Sequence, residues 1–152
     1  MSTPAFDPAA AHRYFSADCF NKTWDLIERA DRTMEEDHQM LLSAFASLWH
    51  WTQRPDCTDM QRSVGCWQIS RVYSLLSESV NAAEYGDQAL RYGQHLPPFY
   101  RAYAHEALAR AAMVEGHPER AQYHLTEAFA LAAQVDDVDE RAALEKDLES
   151  LR

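Results

Sequence analysis

The sequence AYAHEALARAAMVEGHPERAQYHLTEAFALAA, residues 102–133, contains the clearest structural signal in this chain. Small apolar residues recur through it at helical spacing on both sides of a corner formed by Gly116, His117 and Pro118. Small side chains let two helices pack at short distance, glycine commonly ends a helix, and proline suits the first position of the next. The stretch therefore predicts two antiparallel helices joined by a tight turn, a helical hairpin.

The composition extends this prediction to the whole chain. Of the 152 residues 47% are hydrophobic, and only four are glycine and six proline, which leaves few turns for a sheet. A chain of this length can bury its own hydrophobic core without a disulfide or a metal ion. We therefore expect a single all-α domain spanning residues 1–152, with residues 1–6 flexible.

Capping signals predict seven helices. The first begins at Asp7 and Pro8 and is expected to end near Asp31, and the second is so rich in apolar residues that we expect it to be buried on most sides. Thr33 with Glu36 and Thr58 with Gln61 each form a capping box. The residues that mark the seven helix starts are Pro8, Thr33, Thr58, Ser79, Pro98, Pro118 and Asp137.

Charge argues against two classes of partner. The formal net charge is −10 and the pI is about 5.0, which creates a field that repels phosphate backbones and anionic lipid surfaces. No stretch is apolar enough to span a bilayer, and residues 1–10 lack the basic and apolar segments of a secretion signal. We expect a cytoplasmic protein that binds neither nucleic acid nor membrane.

The residues do not predict a metal or a cofactor. Cys19, Cys57 and Cys66 are an odd number and form no Cys-x-x-Cys motif, so buried free thiols are expected. His105 and Glu106 begin like a zinc-binding His-Glu-x-x-His helix, but Ala109 takes the place of the second ligand. The glycines are isolated, which argues against a phosphate-binding loop.

Two segments share a pattern that resembles the tetratricopeptide repeat. The later segment matches the pattern at His105, Leu108, Ala109, Ala112, Ala121 and Leu125, and the earlier one at Cys66, Ile69, Ser70, Tyr73, Ala82 and Gly86. Ala82 and Ala121 correspond with a period of 39 rather than 34, and we assign the extra residues to a linker at 94–100. The chain is similar to small bacterial tetratricopeptide-like proteins, which generally have no assigned activity.

This resemblance implies a short solenoid of stacked hairpins closed by a C-terminal capping helix. It also implies a non-enzymatic adaptor that holds a peptide or protein partner in a groove lined by the first, third and fifth helices. The groove side of the third helix then presents Val64, Trp67, Arg71 and Ser74, and that of the fifth presents Tyr103, Glu106, Arg110 and Met113.

The chemistry of the side chains on these two helix faces suits partner binding, and the residues we predict to bind the partner are Trp67, Arg71, Tyr103, Glu106 and Arg110. Arg71 and Arg110 suit a carboxylate, because guanidinium groups bind carboxylates through two parallel hydrogen bonds. Trp67 and Tyr103 offer rigid apolar contact. A structural ion pair between Arg71 and Glu106 is an equal alternative. We expect charge reversal of Arg71 together with Arg110 to abolish partner capture without unfolding the chain.

Two further functions stay open. One is a small-molecule sensor or an enzyme with an enclosed pocket formed by His50, Arg71, Tyr103 and Glu106, in which His50 lies between Trp49 and Trp51. The other is a self-associating structural subunit, a homodimer that meets through exposed edge helices.

Overall fold

A computed structural model describes residues 5–152, and within this range the chain forms seven α-helices and no strand. We expected residues 1–6 to be flexible. Four of these residues, 1–4, lie outside the described residues. The helices are α1 (Pro8–Ile27), α2 (Met34–Thr52), α3 (Asp59–Leu75), α4 (Ser79–Gly93), α5 (Pro98–Glu115), α6 (Pro118–Ala132) and α7 (Val138–Glu149).

The capping signals in the sequence place the helix starts. Asp7 accepts a hydrogen bond from the backbone of Ala9, both threonine capping boxes form, and Asp137 caps α7 with two backbone hydrogen bonds. The end of α1 was predicted wrongly near Asp31. The Arg32 guanidinium donates to the carbonyl oxygens of Leu26 and Arg29, and so terminates the helix a turn early.

Each helix packs on its neighbours in sequence. The connections between helices are short, so consecutive helices run in opposite directions and form the pairs α1–α2, α3–α4 and α5–α6. The odd-numbered helices also contact one another in series, α1 with α3, α3 with α5 and α5 with α7. The even-numbered helices α2 and α4 meet through side chains, since the rings of Phe45 and Tyr85 lie 5.4 Å apart.

The helix bounds repeat with the offset of 39 predicted from sequence. Helix α3 begins at Asp59 and α5 at Pro98, while α4 begins at Ser79 and α6 at Pro118. The assignment of the extra residues to a linker at 94–100 was wrong, since the connection spans only residues 94–97. The helices of these two pairs are 15–18 residues long.

Alanine and glycine set the close packing between pairs. Ala82, Ala89, Ala102 and Ala109 are fully buried, and a Cβ added at Gly86 would lie 2.8 Å from the Leu108 side chain. Helix α2 is less buried than its composition predicted. It packs mainly against α1 and α3, with Phe45 also touching Tyr85 of α4, and this leaves Trp49 55% exposed and Leu42 49% exposed.

Candidate functional site

The face shared by α1, α3 and α5 holds two adjoining cavities of about 250 and 350 Å³. They share Phe20, Val64 and Tyr100, so they form one continuous depression, which we call the aromatic cleft. The rings that line the cleft are Phe20, Trp24, Trp51, Trp67, Phe99, Tyr100 and Tyr103. All of them are half-buried, and the lining is almost entirely apolar.

Ring contacts fix the shape of the aromatic cleft. The Trp67 ring on α3 lies 5.4 Å from that of Trp24 on α1 and 5.0 Å from that of Tyr103 on α5. Tyr103 in turn lies 5.1 Å from Phe99. Tilted and edge-to-face contacts of this kind stabilise aromatic pairs beyond the area they bury. The rings from three helices are thus held in a defined arrangement before any ligand binds.

A buried carboxylate lies directly behind the cleft. Glu106 is 1% exposed, accepts a hydrogen bond of 2.9 Å from Trp67 Nε1, and pairs with the Arg110 guanidinium one turn along α5. The alternative ion pair between Arg71 and Glu106 is not formed, and Glu106 instead pairs with Arg110 and accepts a hydrogen bond from the Trp67 indole. Glu106 therefore orients Trp67, and Arg110 balances its charge.

Tyr103 connects the cleft to the last helix. Its hydroxyl donates a 2.8 Å hydrogen bond to Asp147 on α7. Burial, reinforced by this carboxylate, raises the pKa of Tyr103, so the phenol stays protonated and keeps donating.

Beyond Glu106 the same face turns cationic, in a small cavity that we call the arginine pocket. This cavity of about 140 Å³ is lined by Arg71, Ser74, Leu75, Arg110, Met113, Val114 and Leu151. Burial and the nearby Arg110 charge lower the pKa of Arg71, while the Glu106 and Asp147 carboxylates act in the opposite direction. Arg71 has no hydrogen bond or ion pair with any residue of 5–152, and the buried Ser74 hydroxyl has no partner there either. The pocket thus offers the Arg71 guanidinium to an anion.

His50 lies apart from the other members of the alternative pocket. Its Nδ1 is 2.8 Å from His12 Nδ1 on α1, and its ring contacts Phe15 and Trp49. Burial and the neighbouring His12 lower the pKa of His50. It lines neither the aromatic cleft nor the arginine pocket. Arg71, Tyr103 and Glu106 are brought close together without it.

A second histidine pair was missed by the sequence analysis. His105 on α5 and His124 on α6 are half-buried, with Nδ1 atoms 3.1 Å apart. Burial lowers the pKa of both imidazoles, while the Glu127 carboxylate acts in the opposite direction on each. The sequence spacing indicates only histidines three or four residues apart as candidate pairs, so a pair joined by packing is invisible in it. Residues 5–152 contain no cluster of three or more metal-ligating side chains.

The sequence analysis placed the groove on α1, α3 and α5 but named groove residues only on α3 and α5. Of these, Val64, Trp67 and Tyr103 line the aromatic cleft. Phe20 and Trp24 were assigned only to an apolar stripe, and Phe99 and Tyr100 to no site. Aromatic residues at i and i+4 on α1, opposite those on α5, were the signal that could have found them.

Comparison with protein families, with curated proteins and with solved structures gives no match for this chain. The part of the chain that the structure covers also holds no helix with the length and apolarity needed to cross a bilayer. The fold and the site therefore define an all-helical chain with an open aromatic cleft beside a cationic pocket.

Proposed function

We propose that this chain is a non-enzymatic cytoplasmic adaptor with a tetratricopeptide-like architecture, in which three hairpins and the capping helix α7 stack as a short solenoid. The serial contacts among α1, α3, α5 and α7 and the offset of 39 residues support this arrangement. Its ligand is a peptide segment of a partner protein, held along the face formed by α1, α3 and α5.

The observation that carries the proposal is the aromatic cleft. Its cavities of about 250 and 350 Å³ are comparable in size to ligand sites, which are also mostly apolar with few polar groups. Half-buried aromatic rings supply much of the binding energy in protein interfaces, because they bury a large area at a low cost in side-chain entropy. The cleft therefore suits bulky apolar side chains of a partner.

The arginine pocket adds a polar requirement to the ligand. Val64 in the cleft and Arg71 in the pocket are seven residues apart on α3, which is about 10 Å along a helix. An extended peptide covers this distance in about three residues. The ligand we propose therefore carries a bulky apolar side chain and, about three residues away, a carboxylate that pairs with Arg71.

A peptide selection tests the proposal. Peptides would be selected from a random display library on the immobilised chain, and their affinities measured by fluorescence anisotropy. We expect Tyr100→Ala and Arg71→Gln to weaken binding at least about tenfold. The matched controls Tyr123→Ala and Arg13→Gln, at exposed positions outside the site, should bind like the wild type.

Two results would contradict the adaptor function: a library that gives no binder, or binders that lose equal affinity in the site variants and in their controls.

Arg110 is left unchanged in this experiment. Its charge reversal would place a second carboxylate against the buried Glu106, so loss of binding could simply report unfolding.

Self-association is a second candidate, supported by a different surface. Tyr14, Phe15 and Trp49 are 63%, 41% and 55% exposed, and with His12 and His50 their rings form one contiguous aromatic patch. Exposed apolar patches of this kind commonly mark interfaces. If a second copy covers the patch, sedimentation should show a mass that rises with concentration in the wild type and stays monomeric in Trp49→Ser.

A further inference from the structure

Two of the three helix pairs are joined by a hydrogen bond between histidines. His12 on α1 and His50 on α2 have Nδ1 atoms 2.8 Å apart, and His105 on α5 and His124 on α6 have Nδ1 atoms 3.1 Å apart. The middle pair, α3 with α4, contains no histidine. The other histidines are exposed, and they are His38, His95 and His117.

Each of these contacts tolerates one positive charge but not two. The hydrogen bond needs one nitrogen that carries a proton and one that does not, and a charged imidazole has no bare nitrogen. A pair with one charged ring therefore keeps its hydrogen bond, which the charge strengthens. A pair with two charged rings loses its acceptor and places like charges in contact. The second proton thus breaks the bond between the two helices.

The surroundings of His105 and His124 oppose the second proton. Burial lowers the pKa of both imidazoles, and the neighbouring His105 acts in the same direction on His124. The charged groups that act on the pair come from α4, α5 and α6: the carboxylates of Asp87 and Glu127 favour the charged form, and the guanidinium groups of Arg101 and Arg120 disfavour it. Charges of both signs therefore offset one another, and burial is the main cause.

The first pair is surrounded by aromatic rings. His50 contacts Phe15 and Trp49, and Trp49 also contacts His12. Burial lowers the pKa of His50, and His12 acts in the same direction. A second positive charge on this pair is therefore opposed both by burial and by the first charge.

We propose that the two histidine pairs are acid-sensitive latches, which hold α1 on α2 and α5 on α6 at neutral pH and release them when both imidazoles of a pair become charged. Helices α1 and α5 carry two of the three walls of the aromatic cleft, so release loosens the cleft. The latches do not depend on what the cleft binds, and the proposal therefore stands apart from the adaptor function.

The sign of the pH effect follows from the two states of the chain. In the unfolded chain each histidine takes up a proton near pH 6.5, at about the ordinary pKa of the side chain. The folded pairs take up their second proton at lower pH. Between these values the unfolded chain binds more protons, so the stability from the latches is present above about pH 6.5 and is lost as the pH falls. Each such proton raises the unfolding constant up to about tenfold per pH unit.

The test is urea unfolding of the full chain at pH 7.5 and at pH 5.5. Asparagine can donate and accept a hydrogen bond but does not titrate, so His50→Asn with His124→Asn leaves each pair able to stay bonded in acid. We expect the unfolding constant of the wild type to rise between these pH values at least about tenfold more than that of the double variant. His38→Asn with His95→Asn, at exposed positions, is the matched control and should follow the wild type.

A titration of the wild type followed by NMR avoids reliance on variants. In protein labelled with ¹⁵N, the two rings of each pair should respond together to two successive protons, because their titrations are coupled. The three exposed histidines should each titrate in one step. The proposal is overturned if the paired imidazoles titrate independently of each other, or if a folded double variant is as sensitive to acid as the wild type. If the double variant does not fold, the titration alone decides.

Discussion

Glu106 is the residue on which the site depends most. Its carboxylate is 1% exposed and satisfied by the Trp67 indole and the Arg110 guanidinium. A buried charge is tolerated only when it is paired and hydrogen-bonded. The three side chains therefore act as one unit, which couples the shape of the aromatic cleft to the charge balance of the arginine pocket.

The first prediction tests this coupling by removing the indole donor of Trp67. Trp67→Phe keeps an aromatic ring but removes the donor to Glu106, so we expect a loss of about 1–3 kcal/mol in the free energy of unfolding, measured with urea. Trp24→Phe is the matched control, because the Trp24 ring also packs in the cleft and its indole nitrogen makes no hydrogen bond among the described residues. Equal losses in the two variants would mean that the hydrogen bond to Glu106 does not matter.

A second prediction concerns the cysteines, of which only Cys66 is buried as expected, while Cys19 and Cys57 are half-buried. Burial raises the pKa of the Cys66 thiol to about 12. At pH 8.5 only roughly one Cys66 in several thousand is the reactive thiolate. Cys66 is buried and scarcely ionised, whereas Cys57 is only half-buried. We therefore expect Cys66 to react far more slowly than Cys57 with a disulfide reagent at every pH up to about 10.

The measurement is thiol release in native protein and in urea, with Cys66→Ala as the reference. The slow phase should be absent from this variant and should become fast when the wild type unfolds. If all three thiols of the native wild type react at one rate, Cys66 is not buried as described.

At the residue scale the sequence predicted the site in part. Trp67, Tyr103 and Arg71 lie on the predicted helix faces, because helical periodicity alone assigns them to one side of α3 and α5. The bond between Trp67 and Glu106 and the contact between His105 and His124 could not be predicted, since both depend on how far one helix is displaced along the next. Local spacing contains no information on that displacement.

At the scale of elements, helix starts were predictable because capping is local. Each capping box, Thr33 with Glu36 and Thr58 with Gln61, satisfies backbone N–H donors within four residues. This pairing does not depend on the packing of the rest of the chain. Helix ends were less predictable where the cap is distant. Arg32 ends α1 from five residues beyond its last residue, and nothing in the composition of residues 27–31 indicates it.

The turn between α5 and α6 allows a prediction at this scale. Gly116 has a φ of 83° and no atom within 4 Å of the position that a Cβ would take, so its role is conformational. Gly116→Ala should lower the free energy of unfolding by about 1 kcal/mol, because a side chain disfavours this left-handed conformation. Gly116→Asn is the matched comparison and should lose less, since asparagine tolerates it better.

Urea unfolding of the three proteins measures both differences. A Gly116→Ala chain as stable as the wild type would show that the turn adopts another conformation in solution. An asparagine variant as unstable as the alanine variant would point instead to a steric role for the glycine.

At the scale of the whole molecule, two groups of buried residues must be joined for the chain to behave as one domain. One group packs α5, α6 and α7 around Leu144 and Leu148, and the other packs α1, α2 and α3 around Met40 and Ile69. A smaller group around Cys66 connects α3, α4 and α5. The hydrogen bond from Trp67 to Glu106 crosses the same boundary. We therefore expect a single cooperative unit.

The positions of the tryptophans make this expectation testable. All four, Trp24, Trp49, Trp51 and Trp67, belong to α1, α2 and α3, and none lies in α6 or α7, so their fluorescence reports on that half and, through Trp67, on its contact with α5. Leu148 in α7 is fully buried, and Leu148→Ala should cost about 2–5 kcal/mol by leaving a cavity. In a single cooperative domain this distant change lowers the urea midpoint of tryptophan fluorescence as much as that of circular dichroism. Val138→Ala, at a position 65% exposed on the same helix, should shift neither midpoint. A fluorescence midpoint that stays at the wild-type value in Leu148→Ala would show that the two halves unfold independently, and that the aromatic cleft is held by α1 and α3 without support from α7.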